Sequence, residues 1–507
     1  MEIELKLSLE PGAADKLRRL ALLRRHAGAK PSRGELPAIY YDTPDFYLMR
    51  HGAGLRVRAE RGVWTQTLKA GGSVLAGLHR RHEWECAVGD ERADLAALRA
   101  AMREAPAWAA VLAAPALQER LQALFTVRVR RSTWLLHVDG AEIELVLDEG
   151  TLEGCGQSQP ICEIELELLS GQPGQLYDFA LQLLQHLPLR LDNRNKAERG
   201  YALCLPAPGA PAPVTARALS LQRQAGVGEG LQAILGNCIA HIQGNEAGVL
   251  DGRDPECLHQ MRVGVRRLRS ALKLFAPVAP CPPELLAELD WLGAALGAAR
   301  DWDVMATSTL ALLPADAKPA APLSEMVAAM RARQQRRVAD ALRSPRYTGL
   351  LLAFCAWLPD AGREGEVMLA SLDQTLAEFA DATLRAARRR LRKRGRRIAE
   401  ADAHALHRLR IAVKKARYTA QFFASLYRAK PGKAYAAALG ALQDELGWRN
   451  DVDVADRLLQ QLPQDGAEQS AAVAFARGYL LARLAAQPDK LRRAWRALRD
   501  LPLPSAA

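Results

Sequence analysis

The chain has 507 residues, more than one hydrophobic core usually accommodates, so its length predicts two or three domains. Hydrophobic residues make up 49% of the sequence and charged residues 25%, which is typical of globular proteins and argues against a largely disordered chain. The first residues lack the apolar stretch of a secretory signal, and no apolar run approaches the ~18 residues of a membrane-spanning helix. We therefore expect a protein without a membrane partner.

Cysteine usage and charge narrow the class further. Eight cysteines are scattered without a CxxC pair, so their spacing suggests neither a zinc ribbon nor a disulfide framework, and we expect a cytoplasmic location. The net charge of +12 is uneven, because residues 1–205 hold 26 Lys and Arg against 27 Asp and Glu, whereas the remainder holds 43 against 30. This excess predicts a polyanionic partner for the C-terminal part.

The first 200 residues contain short runs with period-two alternation, which predict β-strands. These runs lie at 2–8, 54–60, 64–69, 81–86, 126–136, 141–148 and 161–169. Helices are expected near 12–26, 90–125 and 174–187. A segment rich in Pro and Ala follows, so we place a linker at 204–217, between an N-terminal domain of residues 1–203 and a C-terminal domain of residues 218–507.

One face of these strands is highly charged, and the other is mainly apolar. For a single strand this pattern is usually a solvated sheet face. Repeated over all the strands, it favours a barrel of about eight strands whose lumen is charged and whose apolar outside is covered by helices. Lumenal carboxylates need compensating cations, and oxygen ligands without clustered Cys or His favour Mg²⁺ or Mn²⁺ over zinc. Arginine and lysine suit a condensed phosphate chain.

Short motifs follow one another along these strands. They are Glu2-x-Glu4-x-Lys6, Ile39-Tyr40-Tyr41-Asp42-Thr43-Pro44, Gly54-Leu55-Arg56-Val57-Arg58, Thr67-Leu68-Lys69, Arg81-x-Glu83, Ile143-Glu144 through Gly150, Pro160 through Leu168, and Lys196 through Tyr201. In this order they resemble the CYTH superfamily, the triphosphate tunnel metalloenzymes. The resemblance implies an eight-stranded antiparallel tunnel with flanking helices that binds a triphosphate group and converts it with a divalent metal.

The resemblance also assigns roles by position. It implies that Glu4 and Lys6 are catalytic. The implied metal ligands are Glu2, Glu4, Glu144, Asp148, Glu165 and Glu167. The implied triphosphate-binding residues are Lys6, Arg56, Arg58, Lys69, Arg81, Arg131 and Lys196. Two features depart from or blur the pattern: Asn195 stands where relatives usually have Ser, and strand parity groups Arg128 with Arg130, whereas the family pattern points to Arg131.

The C-terminal domain is predicted to be all helical, because its apolar residues recur every three or four positions. It contains an internal repeat. The block His259–Arg269 is echoed by His407–Arg417, and Leu296–Val304 is echoed by Leu446–Val454. We therefore expect two repeated four-helix bundles.

Each repeat carries a basic stripe along one helix face. The stripes comprise His259, Arg262, Arg266 and Arg269 in the first copy and His407, Arg410, Lys414 and Arg417 in the second. One such stripe is usually a solvated face, but its repetition favours a binding surface. These blocks resemble the CHAD domain, which commonly follows CYTH domains, and the resemblance implies that the eight residues bind inorganic polyphosphate. Both histidines are expected to add positive charge below about pH 6.5.

A further basic run spans Arg385–Arg397 and holds nine basic residues in thirteen. It could be a solvated helix, an RNA-binding patch or an extended wall of the same polyanion groove. Because the sequence has no RRM, zinc-finger or KH signature, we expect no specific nucleic-acid partner.

The sequence therefore predicts metal-dependent hydrolysis of inorganic triphosphate to pyrophosphate and phosphate, together with polyphosphate binding by the helical domain. Other activities of the same fold remain open: thiamine or nucleoside triphosphatase and adenylate cyclase. The alternative from another class is a non-catalytic polyphosphate-binding scaffold.

Overall fold

The structure is a computed structural model that describes residues 1–60, 62–206, 209–314, 320–358, 374–396, 398, 402–464, 466–485 and 489–506. The chain forms two compact units, one of Met1–Gly209 with Arg343–Pro359 and the other of Ala210–Leu342 with Asp360–Ala507. Within the described ranges, every helix is too short or too polar to cross a bilayer.

The first unit is built on nine antiparallel strands, eight of which close into a barrel. The strands are β1 (Glu2–Leu9), β2 (Ser32–Asp42), β3 (Ala53–Glu60), β4 (Val63–Leu75), β5 (Leu78–Val88), β6 (Gln122–Val138), β7 (Ala141–Gly154), β8 (Gln157–Ser170) and β9 (Leu189–Leu191). The sheet runs β5-β4-β3-β2-β6-β7-β8-β1, and pairing of β1 with β5 closes it. Strand β9 pairs with the end of β1. The predicted eight-stranded antiparallel barrel is therefore confirmed.

Alternation along the strands sorts the side chains as expected. Leucines such as Leu5 and Leu166 are fully buried on the outer face, while Glu4 and Lys6 point into the lumen. The helices of this unit are α1 (Ala14–Arg19), α2 (Ala21–His26), α3 (Tyr47–Arg50), α4 (Leu95–Ala101), α5 (Pro106–Leu112), α6 (Leu117–Arg120), α7 (Pro173–Leu184) and α8 (Lys196–Cys204).

Two strands and one helical stretch differ from the sequence prediction. Strand β2 went unpredicted because Gly34 and Pro37 interrupt its pattern. Pro37 is tolerated because β3 pairs with β2 only from Ala38 onward, so no ladder bond to β3 is required at the proline. The helix expected over 90–125 is instead three short helices, and β6 begins at Gln122. Strand β9 has three residues, too few to show periodicity.

The side chain of Asp42, the last residue of β2, connects this strand to two helices. Its buried carboxylate accepts hydrogen bonds from the backbone N–H groups of Thr43 at 2.7 Å, Leu48 at 2.8 Å and Met49 at 2.9 Å. It also accepts the Tyr201 hydroxyl at 2.9 Å. One carboxylate thus ties α3 and α8 to the end of a barrel strand.

A helix from later in the chain completes this unit. Helix α14 (Pro345–Trp357) packs against α7 and contacts β9. On α7, the Tyr177 hydroxyl donates to the Leu75 carbonyl at 3.0 Å. The first unit therefore includes a segment that lies between the two copies of the helical repeat.

Cys155 and Cys204 form a disulfide, so the expectation of no disulfide framework is wrong at this pair. Cys155 lies in the turn after β7, and Cys204 lies at the end of α8. Their sequence separation of 49 hid the pairing, because their proximity depends on where α8 packs.

The second unit is helical, as predicted. Its helices are α9 (Val227–Gln243), α10 (Glu246–Asp251), α11 (Pro255–Phe275), α12 (Pro283–Val304), α13 (Ala320–Arg343), α15 (Leu376–Gly395), α16 (Ala403–Phe422), α17 (Ala429–Gln460), α18 (Ala467–Ala485) and α19 (Asp489–Asp500). The two stripe helices, α11 and α16, begin alike, with Asp254 and Asp402 capping their first turns. One hydrophobic core combines both copies, since Trp302 and Val327 of the first pack with Leu459 and Val473 of the second.

Candidate functional site

A charged cavity of about 260 Å³ lies inside the barrel. Every residue predicted for the tunnel lines it except Asp148. These residues are Glu2, Glu4, Lys6, Arg56, Arg58, Lys69, Arg81, Arg131, Glu144, Glu165, Glu167 and Lys196. The lumen thus mixes both signs of charge.

Three carboxylates form a row across neighbouring strands. The register pairs Glu4 with Glu167, and Glu167 with Glu144. Within the described part of the chain, Glu144 and Glu167 make no ion pair, whereas Lys6 lies 3.0 Å from Glu4. Facing residues on adjacent strands lie within contact range, so this row concentrates negative charge at one wall.

The concentration of negative charge contributes to raised pKa values of two lumenal carboxylates. Burial, reinforced by the charges of Glu2, Glu144 and Glu4, raises the pKa of Glu167 to about 7. Burial and Glu2 likewise raise the pKa of Glu83 to about 7, although Lys69 opposes the change. These carboxylates lack enough positive charge around them, and a divalent cation would supply it.

Lys196 occupies the centre of a second acidic cluster. Its ammonium lies 2.7 Å from Asp148, 2.5 Å from Glu163 and 3.0 Å from Glu165. Oxygens of these three carboxylates lie close enough together to hold a metal ion, but the ammonium already fills that position. Asp148 is fully buried behind the cavity wall. The structure therefore places Asp148 as a partner of Lys196 and Arg131, away from the cavity where a metal ligand was predicted.

The structure resolves which arginine of β6 faces the lumen. Arg131 pairs across the strands with Asp148 and donates to both of its carboxylate oxygens, at 2.8 and 2.6 Å. Its parity is that of the inward-facing Val129, whereas Arg128 and Arg130 are exposed on the opposite face. Arg131 is thus the lumenal arginine, in agreement with the family pattern.

Two other arginines that line the cavity have N–H donors without an acceptor among the described residues. The Nε–H groups of Arg56 and Arg81 are buried and donate to no atom of the described residues. Among the described residues, Arg58 forms one ion pair, with Glu60 at 3.8 Å, and burial together with Arg56 and Arg131 lowers its pKa although Glu85 opposes the change. An anion in the cavity would satisfy these donors.

Lys6 and Lys69 each form ion pairs with two carboxylates of the lumen. Lys6 contacts Glu4 and Glu165, and these carboxylates raise its pKa above the ordinary value although burial opposes the change. Lys69 lies 2.6 Å from Glu2 and 3.3 Å from Glu83. Lys6 thus holds its charge between two carboxylates, which suits charge stabilisation.

Several lining residues were absent from the predicted site. They are Tyr40, Gly54, Thr67, Glu83, Glu85, Val146, Asn195 and Ala197. Glu83 and Glu85 have the same strand parity as Arg81, which was predicted to line the tunnel. This shared parity could have identified both glutamates. Tyr40 gave none, because it lies on the unpredicted strand β2.

The helical unit contains a second cavity, of about 1280 Å³, to which both stripe helices contribute. We call it the groove. The stripe residues that line it are His259, Arg262, Arg266, Arg410, Lys414 and Arg417. Arg269 and His407 are not among the lining residues, because Arg269 pairs with Asp290 at 2.5 Å and His407 is exposed.

Like charges face each other in the groove. Burial and the neighbouring Arg410, Arg266 and Arg262 lower the pKa of Lys414 to about 7. The closest acid to Arg262 is Asp301, at 3.9 Å. The Nε–H groups of Arg266 and Arg410 are buried without an acceptor among the described residues. This arrangement favours an anion that brings compensating charge.

His259 does not titrate as the sequence suggested. Burial, followed by the charge of Arg300, lowers its pKa to about 4. The expectation that His259 gains charge below about pH 6.5 is not supported by these surroundings, because the nearby cations disfavour its protonated form.

The basic run at Arg385–Arg397 lies largely on α15, and Arg397 is outside the described residues. Among the residues around this run, only Leu384 lines the groove. The interpretation of the run as an extended groove wall is therefore wrong for the described residues.

A closed barrel with an acidic and basic lumen, followed by a repeated helical unit, defines the class of this protein. The CYTH domain model matches residues 1–201, and the CHAD domain model matches residues 233–460. The chain therefore has a CYTH domain at its N-terminus and belongs to the CHAD family over its C-terminal part.

Three known proteins are similar to parts of this chain. An inorganic triphosphatase from Haemophilus influenzae is 32% identical over 206 residues, which cover 40% of this chain and 54% of that protein, so the chain spans about half of that relative. The CHAD domain from the plant Ricinus communis is 47% identical, with a TM-score of 0.54, and the match covers 58% of this chain and 99% of that domain. A putative adenylyl cyclase from Hippeastrum with a dominant triphosphatase activity is 20% identical over 40% of this chain and 96% of its own, with a TM-score of 0.30.

Proposed function

We propose that the barrel hydrolyses inorganic triphosphate to pyrophosphate and phosphate with Mg²⁺ or Mn²⁺. The observation that carries this proposal is the pairing of an under-compensated acidic row with arginines whose donors are unused, inside one cavity of about 260 Å³. The inorganic triphosphatase from Haemophilus influenzae, 32% identical to this part of the chain, supports it.

The acidic row fits a divalent cation. Glu4, Glu144 and Glu167 offer hard oxygen ligands on adjacent strands, and the raised pKa of Glu167 reports charge that a cation would neutralise. We propose these three residues as ligands, with Glu2 beside them. Such an ion would neutralise charge on the phosphate oxygens and would lower the pKa of a water molecule in the site.

The basic side chains would hold the substrate. Arg56, Arg58 and Arg81 offer planar donors for phosphate oxygens, and Arg131 is fixed in place by Asp148. Lys6, protonated between Glu4 and Glu165, would stabilise negative charge on the phosphate chain. Lys196 would act through Glu165, which it positions by their 3.0 Å contact.

The size and lining of the cavity favour the inorganic substrate over larger triphosphates. Its volume lies below the range of roughly 300–1,000 Å³ typical of small-molecule pockets. Its one aromatic residue, Tyr40, already stacks on Phe125 at 4.7 Å between ring centroids. A nucleobase or thiamine ring would therefore find no exposed aromatic side chain among the described lining residues, since Tyr40 is buried.

We further propose that the groove binds inorganic polyphosphate without cleaving it. Six stripe residues converge there from the two repeats, and cations outnumber the three aspartates, Asp301, Asp444 and Asp451, among the described lining residues. The long-range attraction of such a surface suits a polyanion of variable length. A purely scaffolding protein would not need the acidic row in the barrel, which supports an enzyme.

Phosphate release tests the proposal when it is measured on tripolyphosphate, pyrophosphate, ATP and thiamine triphosphate, each with and without Mg²⁺ or Mn²⁺. We expect rapid metal-dependent release from tripolyphosphate and little from the other three. Faster release from ATP or thiamine triphosphate would reassign the substrate. Absence of release from all four would favour the scaffold.

A further inference from the structure

A second basic surface lies outside the groove, on the helical unit. Helix α16 carries Lys414 on the groove side, whereas the next residue, Lys415, is exposed and does not line the groove. Lys273 of α11 and Arg390 and Arg394 of α15 are the charged groups that act on Lys415. These four residues come from three helices, and we call them the outer patch.

The outer patch is held together by packing. Helix α16 packs against both α15 and α11. Arg394 donates from its guanidinium to the Arg408 carbonyl at 2.6 Å, which fixes the end of α15 beside α16. Nearby, Arg388 donates to the Leu501 carbonyl at 2.8 Å. Burial and the three neighbouring cations lower the pKa of Lys415, as expected where positive charges are crowded.

No acidic residue compensates these cations locally. Segments 262–275, 382–396 and 403–422 contain neither Asp nor Glu. Among the described residues, no acidic side chain forms an ion pair with Lys273, Arg390, Arg394 or Lys415. A soluble anion is the remaining source of compensating charge.

The composition of the patch favours a bare phosphate chain over single-stranded nucleic acid. The aromatic residues of the same three segments, Phe275, Tyr418 and Phe422, are buried, so they present no exposed ring at the patch. Proteins that bind single strands usually provide aromatic faces on which the bases stack. Phosphate oxygens need only cations and N–H donors, which the patch supplies.

We propose that Lys273, Arg390, Arg394 and Lys415 form a second anion-binding surface that takes the phosphates of a long condensed phosphate chain also held in the groove. This inference rests on polyphosphate as the proposed ligand of the groove. Lys414 and Lys415 are adjacent in α16 and point about 100° apart around its axis, so only a chain long enough to pass around this helix would contact both sites. The patch therefore contributes to long chains and not to short ones.

The test compares the full-length protein with a patch variant, Lys273→Gln, Arg390→Gln and Lys415→Gln. This variant keeps Arg394 and its helix-fixing hydrogen bond. The matched control removes three exposed cations of α13, Arg333→Gln, Arg336→Gln and Arg337→Gln, so both variants lose the same charge. Binding of short-chain and long-chain polyphosphate is measured by titration calorimetry over a range of salt concentrations, and circular dichroism checks the fold.

We expect the patch variant to bind long-chain polyphosphate about tenfold more weakly than the control, with a shallower salt dependence and unchanged short-chain affinity. Equal long-chain affinities for the two variants would overturn the proposal. Single-stranded RNA that competes with long-chain polyphosphate equally well for wild type would overturn the choice of ligand. The groove variant combines Arg262→Ala, Arg266→Ala, Arg410→Ala and Lys414→Ala. If it bound both chain lengths like wild type, the proposed groove function would be overturned instead, so the two failures are distinguishable.

Discussion

The tunnel and the groove both assemble basic side chains, but they compensate them differently. In the tunnel Lys69 and Lys196 touch carboxylates at 3.0 Å or less, so cations and anions fix each other in place. In the groove Lys414 is surrounded mainly by arginines, and the nearest acid to Arg262 is 3.9 Å away. Mutual pairing provides the fixed geometry that catalysis needs, whereas uncompensated charge favours capture of a polyanion.

The largest effect should come from the acidic row of the tunnel. We expect Glu167→Gln to lower metal-dependent phosphate release from tripolyphosphate by about a thousandfold, because it removes a proposed metal ligand. The matched control is Glu153→Gln, which alters an exposed glutamate of the same barrel and should leave kcat unchanged. Near wild-type kcat for Glu167→Gln at saturating Mg²⁺ and Mn²⁺ would remove Glu167 from the site.

The groove should respond to the loss of its cations. The combined variant Arg262→Ala, Arg266→Ala, Arg410→Ala and Lys414→Ala should weaken polyphosphate binding by about a hundredfold at about 0.15 M salt. Its affinity should also depend less on salt, since fewer phosphate contacts release fewer counterions. Fluorescence titration against salt measures both quantities, and unchanged affinity would make the stripes ordinary solvated faces.

A smaller effect concerns the pH dependence of polyphosphate binding, which we expect to come from Lys414 and not from His259. With a pKa of about 7, Lys414 is charged below that pH and loses its proton above it, so polyphosphate affinity should fall about fivefold between pH 6 and pH 8. Lys414→Arg should flatten this dependence, because arginine stays charged. His259→Gln should leave it intact, since the pKa of His259 is about 4. A pH dependence that survives Lys414→Arg would assign the titration to another group.

The smallest effect concerns stability in the absence of metal. The folded state holds the proton of Glu167 up to a pKa of about 7 against an ordinary 4.5, so its contribution to stability falls as pH rises across that interval. Glu167→Gln should therefore raise Tm by about 2 °C at pH 8 and change it little at pH 4.5.

The matched comparison is Glu165→Gln. Lys196, Lys6 and Arg131 hold the pKa of Glu165 well below its ordinary value despite its burial. Its neutralisation should lower Tm at pH 8, because three buried cations lose their partner. Thermal unfolding by circular dichroism would contradict this assignment if both variants shifted Tm in the same direction.

Period-two alternation was sufficient to predict the barrel, because each strand that carries charge inward repeats one simple rule. It also placed ten of the predicted lining residues on the charged face, whereas Arg131 and Lys196 were assigned by the family resemblance. The alternation could not reveal β2, where Pro37 and Gly34 break the pattern, or the place of α14 in the first unit. It could not show that Lys196 sits among three carboxylates, because that contact depends on strand register and on the packing of α8.

In the helical unit, the repeat predicted two equivalent basic stripes, but not how each side chain is oriented. His259 and His407 occupy equivalent sequence positions, yet one lines the groove and the other is exposed. Arg266 and Arg267 are adjacent and both line the groove, yet Arg267 is buried against the Phe422 ring whereas Arg266 is partly exposed. Sequence periodicity assigns a residue to a helix face, but it does not show which neighbours cover its side chain.

The most direct test of the division between tunnel and groove measures both activities on the same three full-length proteins. Tripolyphosphate hydrolysis and long-chain polyphosphate binding are compared for wild type, Glu167→Gln and the fourfold groove variant. We predict that Glu167→Gln loses hydrolysis and keeps binding, whereas the groove variant keeps the wild-type kcat and loses binding. If the groove variant lost tripolyphosphate hydrolysis as completely as Glu167→Gln does, the two sites would not have separate functions.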